Sequence, residues 1–599
     1  MKKGEIMKKF ERLFKILYGT GLLLIGFIVV DVLVSVILFC FRLNISVINF
    51  WSSLIITLIT FTLIGAKNNE SQINKLLSIG LFIVMLFGAI FVASKIYDSS
   101  YDGNSYHKGA IGMMAHGWNP VYQTAEDYSD NIFHIRGAKI FTWIDHYQNL
   151  SWIFGATVYR VFGNIETAKS LNFLLIGGAL FILINYFKRF KFKNLQSIVL
   201  ACVTVFSPVV ISQFFSFYID GNLAIAFYIY IATISLITFE LIKNRRITVD
   251  LLFIFFFSIC ILANLKLTGI LLIAAGILPL AIYLTILMVQ KKIKAADYYK
   301  LFGMTVFSIL FSILVIGSTS YVKNTLTMKN PFYPLLGDNR SDIITTMQPA
   351  ELMNKNQIEK LLISVFSRSD NVQLYSWKAL EYKIPLTWNN EEINSLNITD
   401  TRIGGFGIFY SFIFILSIAI ILGYLITVLK NKKKTGSDEA IYKIIISCVL
   451  ISILLYLVLP TENWWARYAP NIYLLTPIAL AIILGRMNQK PEDHLAKILS
   501  VILVVTIILN QLPFLYFRAI TPGSNRIVKT ELMEARAYVE KNPQSKVVIN
   551  NHYMGVFYNL LDHKIVKPDG SNFEFLKREI DDAAREKYPH VFFWGRALY

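Results

Sequence analysis

The chain has 599 residues, of which 55% are hydrophobic and only 16% are charged. A water-soluble protein of this length needs far more charge to cover its surface, so the composition excludes an ordinary soluble enzyme. The net charge of +19 lies largely in short clusters between apolar runs, a pattern that argues against a nucleic-acid partner.

Apolar runs recur along the chain, and each is long enough to cross a hydrocarbon core of roughly 30 Å as a helix. Helices are expected because backbone amides in lipid must be satisfied within the segment. We predict an all-α polytopic membrane domain of about thirteen transmembrane helices. The predicted spans are 14–41, 46–66, 76–95, 170–187, 194–212, 217–240, 249–267, 268–290, 303–320, 404–429, 441–459, 470–487 and 497–515.

The basic clusters set the predicted orientation. KRFKFK (188–193), KNRR (243–246), KKIK (291–294) and KNKKK (430–434) are typical of cytoplasmic loops. We therefore expect a multi-pass protein of the cell membrane with a cytoplasmic N-terminus and an extracytoplasmic C-terminus. A first loop (96–169) and a second loop (321–402) then lie on the outer face.

Two further segments complete the predicted organisation. Residues 150–163 are short and contain Arg160, so we predict a helix at the outer interface, although whether it spans the membrane stays open. After residue 515 an amphipathic helix capped by Thr530 alternates with strand-like runs KVVINN, KIVKP and VFFWG. This pattern predicts a transmembrane domain over 1–515 and a small extracytoplasmic α/β domain over 516–599.

The first loop carries the clearest candidate for chemistry, in YDSSYDGNSYHKGAIGMMAHGWNP (97–120). Asp102 follows closely on a span end, and a carboxylate there can act as a general base on a hydroxyl. The alternative is that Asp102 caps the following helix or forms a turn with Gly103 and Asn104. The histidines of this loop match no metal-ligand spacing, so we predict no cofactor, without excluding a divalent metal.

This layout resembles the GT-C superfamily of membrane glycosyltransferases, which includes the protein O-mannosyltransferases and the aminoarabinose transferase. The resemblance rests on YDGNSYH…GWNP (101–120), with NPFYP (330–334), DTRIGGFG (400–407) and ENWWARY (462–468) in support. It implies that Asp102 takes the family's catalytic acidic position. Asp220, in QFFSFYIDGN (213–222), corresponds to a second functional acidic residue, although a helix-capping role is equally open.

The resemblance also implies a polyprenyl-phosphate or -diphosphate sugar as donor, whose phosphate needs cationic partners. Arg467 in WWARY is the main candidate, followed by Lys266 at a break between two spans and Arg402 before a span. An aromatic-flanked arginine such as Arg467 is also a common membrane-interface anchor. The candidates for contact with the sugar are Tyr106, His107, Trp118, Trp464 and Tyr468.

The sequence departs from the family pattern in three ways, and these departures restrict the type of transfer that we predict. Three spans precede the acidic loop instead of the usual one, the WWDYG signature of the oligosaccharyltransferases is absent, and Asp220 lacks a neighbouring acidic partner. We therefore expect an inverting transfer to a hydroxyl of a cell-envelope glycan, lipid or protein, with contact to membrane lipid and no nucleic acid. The alternatives are a transporter or flippase of lipid-linked saccharides, or a non-catalytic partner of wall-building proteins.

Overall fold

The computed structural model describes residues 2–67, 71–133, 140–243, 245–337, 348–370, 380–430, 437–459, 462–550, 554–568 and 570–576. The helices of these residues are α1 Lys2–Cys40, α2 Val47–Lys67, α3 Gln72–Ser94, α4 Lys108–Ala115, α5 Ala125–Phe133, α6 Ile140–His146, α7 Leu150–Phe162, α8 Ser170–Arg189, α9 Asn194–Val205, α10 Pro208–Ser212, α11 Asp220–Ile242, α12 Val249–Leu265, α13 Thr268–Val289, α14 Ala295–Leu314, α15 Tyr321–Met328, α16 Gln357–Val365, α17 Asn390–Ser395, α18 Tyr410–Lys430, α19 Ser437–Val458, α20 Pro470–Tyr473, α21 Leu475–Gln489, α22 His494–Lys541 and α23 Val556–Asp562. A π-helical turn covers Gly103–His107, and 3₁₀ turns cover Ile165–Lys169, Ile316–Thr319, Ala350–Leu352 and Ala466–Tyr468.

Among the described residues, 10 helices are long and apolar enough to cross a membrane. Three shorter apolar helices, Asn194–Val205, Val249–Leu265 and Ile445–Val458, coincide with the remaining predicted spans. Residues on the outward faces of α13 and α14, such as Leu278, Ile282 and Leu310, are apolar and exposed, as expected for surfaces that face lipid. The prediction of an all-α polytopic membrane protein is confirmed, whereas the count of thirteen spans stays a prediction.

Two helices form the centre of the bundle. Helix α1 packs against α2, α3 and α8, and α11 is buried along nearly its whole length. Helix α11 and the part of α1 after residue 16 are largely apolar, which is the pattern of a helix surrounded by other helices. Gly178 of α8 allows close approach to α1, because a Cβ at this position would lie 2.8 Å from Ile25.

The predicted interfacial helix forms as α7, but its surroundings differ from the prediction. Residues 150–159 are buried, and Trp152, Ile153 and Phe154 have no exposed surface. The helix packs against α4 and α1, so protein covers the apolar face that we assigned to the membrane interface. Arg160 lies at the exposed end of the helix, which explains why local composition resembled that of a surface helix.

The C-terminal region departs most from the prediction. Helix α22 runs from His494 to Lys541 without a break at residue 515, so Thr530 is a helix-interior residue and not a cap. Strand β1 (Val547–Asn550) pairs in parallel with β2 (Phe573–Leu576). The predicted strand KIVKP at 564–568 is irregular, and VFFWG at 591–595 lies outside the described residues. The division into domains at 515 stays a prediction.

Both loops lie at one end of the bundle, which we call the loop end. The Lys323 ammonium lies 3.4 Å from the Asp145 carboxylate, and the Thr319 hydroxyl donates to Asn149 at 2.9 Å. These contacts join the start of the second loop to the first loop. The bundle thereby brings polar segments that are distant in sequence to one place.

Candidate functional site

Six charged side chains from five segments of the chain meet at the loop end. We call them the charge cluster: Asp102, Asp220 and Asp400 with Lys266, Arg402 and Arg467. The cluster contains every acidic and basic residue that the sequence nominated, and it adds Asp400. With three carboxylates and three cations, its formal charge is balanced.

Arg467 is the centre of the cluster. Its Nη1 atom lies 2.8 Å from Asp220 Oδ2 and 3.5 Å from Asp102 Oδ2, and its Nε atom lies 2.8 Å from Asp400 Oδ1. The guanidinium also lies over the rings of Tyr218, Trp465 and Tyr468, at 4.6, 4.9 and 4.8 Å from their centroids. The planar guanidinium thus contacts three carboxylates along its edge and aromatic rings on its faces.

Asp220 is held by two cations and not by the helix that it begins. Its Oδ1 atom lies 2.6 Å from the Lys266 ammonium, and its Oδ2 atom accepts from Arg467. Lys266 has an extended backbone conformation between α12 and α13, in agreement with the predicted break between the two spans. Its ammonium lies 3.6 Å from the centroid of the Tyr468 ring. The side chain of Asp220 is 2% exposed, so these ion pairs offset a large desolvation cost.

Asp102 immediately precedes the π-helical turn, and its side chain makes no capping hydrogen bond. The alternative prediction of a helix-capping aspartate is therefore wrong. Gly103 makes the turn possible, because a Cβ there would lie 1.8 Å from Asp98 Oδ2. Burial raises the pKa of the Asp102 carboxyl to about 6, while Arg467 acts in the opposite direction. The side chain remains 19% exposed, which leaves it open to a reactant.

Asp400 is the charged residue that sequence reasoning missed, although it opens the quoted segment DTRIGGFG. Arg402 donates to Asp400 Oδ2 at 2.8 Å, and the Trp465 indole donates to Oδ1 at 3.0 Å. The backbone joins the same two segments, because the Arg467 amide donates to the Thr401 carbonyl at 3.1 Å. The sequence feature that could have identified Asp400 is its position two residues before Arg402, which was already a candidate for phosphate binding.

His107 is a neutral hydrogen-bonding group and not an acid or base at neutral pH. The Trp152 indole donates to His107 Nδ1 at 2.7 Å, so the ring carries its proton on Nε2. Burial lowers the pKa of the His107 imidazole to about 3. Tyr106 packs on the His107 ring with centroids 4.3 Å apart. Both residues follow Asp102 in the same turn, so they lie beside the charge cluster.

Two of the predicted sugar-contacting residues lie away from the charge cluster. Trp118 is fully buried, and its indole donates to the Gln123 carbonyl within the first loop. Trp464 is also buried; it donates to Glu462 at 2.6 Å and stacks on Trp465 at 5.4 Å. Trp464 therefore supports Trp465 from behind, and Trp465 is the tryptophan that touches Arg467 and Arg402.

The described residues contain no group of three or more His, Cys, Asp or Glu side chains arranged to hold an ion. The cluster carboxylates are instead paired with cations. Cys40, Cys202, Cys260 and Cys448 are free thiols.

The arrangement combines a partly open carboxylate, a centred guanidinium and aromatic rings in one place. Such a set of groups can accept a proton and stabilise an anion side by side. Comparisons of the chain with protein-family models, with curated proteins and with solved structures each give no match.

Proposed function

We propose that this protein is an inverting glycosyltransferase that moves a sugar from a polyprenyl-phosphate or -diphosphate donor to a hydroxyl acceptor at the outer face of the membrane. The observation that carries the proposal is the 3.5 Å contact between Asp102 and Arg467. In a single displacement the general base and the phosphate-binding cation act from opposite sides of one anomeric carbon, so this contact has to open to admit the sugar between the two groups.

In the proposed reaction the donor tail lies among the spans and its phosphate contacts Arg467, with Lys266 nearby. Asp102 accepts the proton of the acceptor hydroxyl while the hydroxyl oxygen forms a bond to the anomeric carbon. The bond from that carbon to the phosphate oxygen breaks, and the lipid phosphate leaves with the electron pair. The configuration of the anomeric carbon is inverted, and Arg467 stabilises the charge that develops on the phosphate.

The charge balance suggests how the donor enters. A phosphate adds negative charge to a cluster that is neutral without it, so one carboxylate contact of Arg467 has to loosen. The contact to Asp102 is the longest of the three, and Asp102 is far more exposed than Asp220. Release of Asp102 frees the base for the acceptor and opens one edge of the guanidinium for the phosphate.

The test is transfer by the purified full-length protein, incubated with polyprenyl-phosphate sugars and cell-envelope acceptors, with the freed lipid phosphate as readout. We expect Asp102→Asn to lower the rate about 10²- to 10⁴-fold, because a general base contributes that much. Asp297→Asn is the matched control, since Asp297 lies on α14 outside the charge cluster.

Unchanged turnover in a folded Asp102→Asn protein contradicts the assignment of the base. Movement of the intact lipid-linked sugar from one leaflet to the other in vesicles that contain the protein, without release of lipid phosphate, identifies a flippase instead.

A further inference from the structure

A second group of charges, with no part in the proposed reaction, lies buried within the first loop. Glu166 binds two ammonium groups: Lys108 Nζ lies 2.7 Å from its Oε1 atom, and Lys169 Nζ pairs with its Oε2 atom. All three side chains have 0% exposure. We call these residues the buried network. Such a network is stable only if every donor and acceptor finds a partner.

The C-terminal region supplies the missing partner. Asn559 on α23 accepts a hydrogen bond from Lys108 at 2.9 Å and donates one to Glu166 Oε1 at 2.9 Å. Lys108 completes its contacts on Asn104 Oδ1, also at 2.9 Å. Asn559 therefore uses both ends of its amide on charged groups of the first loop.

The segment that carries Asn559 fits closely against the helix that follows Asp102. The Gly555 amide donates to the Asn104 carbonyl at 2.8 Å. A Cβ at Gly112 would lie 2.3 Å from the Tyr558 ring, so only glycine at this position admits the buried tyrosine. These contacts run along the length of 103–115.

The same segment is fixed at its other end by Asp562. Its carboxylate accepts hydrogen bonds from the Tyr159 hydroxyl at 2.6 Å and from the Ile165 amide at 2.7 Å. The segment is thus tied to α7 and to the 3₁₀ turn that holds Glu166. It is also tied to the π-helical turn and α4, which are continuous and which we call helix 103–115. All three belong to the first loop, which also carries Asp102.

We propose that residues 554–566 are a positioning element of the reaction site, with Asn559 as its key contact. By completing the buried network, Asn559 holds helix 103–115 in the place that sets Asp102 against Arg467. Its role in turnover rests on the proposed function, whereas its effect on the order of helix 103–115 does not. The C-terminal region would then be part of the catalytic scaffold.

The experiment compares Asn559→Leu with Asn572→Leu in the full-length protein. Leucine at 559 removes both hydrogen bonds to the buried network. Asn572 is a matched control, because it is a buried asparagine of the same region whose two hydrogen bonds, to Ile565 and Lys567, stay within that region. Hydrogen exchange of the 104–115 amides and the kinetics of transfer are measured on both variants and on the wild type.

We expect exchange of the 104–115 amides to rise about tenfold or more in Asn559→Leu and to stay near wild type in Asn572→Leu. We expect kcat to fall about 10- to 100-fold with KM for the donor changed much less, because a displaced base impairs chemistry more than binding. Asn559→Asp keeps the size of the side chain and the oxygen that accepts from Lys108, but its charge repels Glu166. We therefore expect an intermediate exchange rate in this variant. It also provides the test if the leucine variant does not fold.

Wild-type exchange over 104–115 in a folded Asn559 variant overturns the inference. If the wild-type protein itself transfers no sugar, the proposed function fails, while the exchange comparison still decides whether Asn559 orders this helix. A fall in kcat without any change in exchange also contradicts the positioning role.

Discussion

The charge cluster and the buried network use the same chemistry for different ends. Both pair carboxylate groups with basic side chains, and both include residues of the first loop. In the buried network Glu166, Lys108 and Lys169 have no exposure and every contact is short. In the charge cluster Asp102 is partly exposed and lies 3.5 Å from Arg467. A closed set of ion pairs fixes structure, whereas an open set with one loose contact can exchange a protein partner for a substrate.

The largest effect should come from breaking the buried network at its centre. Glu166→Leu leaves two ammonium groups buried without their carboxylate, and loss of one partner of a buried pair typically destabilises by about 3–5 kcal/mol. We expect a large fall in the thermal unfolding temperature and in the yield of folded protein. Glu391→Leu, on the exposed surface of α17, is the comparison that should leave the unfolding temperature nearly unchanged. An unaltered unfolding temperature in Glu166→Leu would mean that the network is not structural.

The next effect concerns the shape of the central cation. Arg467→Lys keeps the positive charge but removes the planar fork that reaches both Asp220 and Asp400. We expect transfer to fall about 10²- to 10³-fold, the range seen when one transition-state donor is lost. Donor KM and kcat are measured together. Equal turnover in the lysine variant would show that charge alone is sufficient and that the fork has no role.

A third effect is the dependence of transfer on pH. Burial raises the pKa of Asp102 to about 6, and only the deprotonated carboxylate accepts a proton. The sign follows: activity is present above about pH 6 and falls about tenfold per unit as the pH drops below it. Rates are measured between pH 4.5 and pH 8 with the near-ultraviolet circular dichroism as a check on folding. A flat profile in folded protein would exclude Asp102 as the base.

The smallest effect should come from removing the hydrogen bond that keeps the proton of His107 on Nε2. Trp152→Phe removes the indole hydrogen bond to Nδ1, and one such bond contributes about 0.5–1.5 kcal/mol. We expect a modest fall in stability and a several-fold rise in KM, without a shift in the pH profile. A new titration near pH 6.5 in the variant would contradict burial as the cause that keeps the imidazole neutral.

Most of the sequence predictions that the structure bears out depend on local composition. Long apolar runs specify helices of spanning length because lipid leaves no other way to satisfy the backbone. The break at Lys266 was visible for the same reason, since a lysine between two apolar runs interrupts both. Residues 150–162 show the limit of such reasoning, because an apolar helix too short to span can lie on a membrane or inside a protein, and periodicity is the same in both cases.

By itself, the sequence determined where chemistry was possible: carboxylates and cations beside span ends are rare, and they identified Asp102, Asp220, Lys266 and Arg467. Only the tertiary structure decided that these groups meet, that Asp400 joins them and that Asn559 completes the buried network. The physical reason is that pairing of buried charges depends on which distant segments pack together, and that packing is set by the whole bundle and not by any local pattern. The continuity of α22 past residue 515 follows the same rule, because tertiary contacts decide where a helix ends when composition changes gradually.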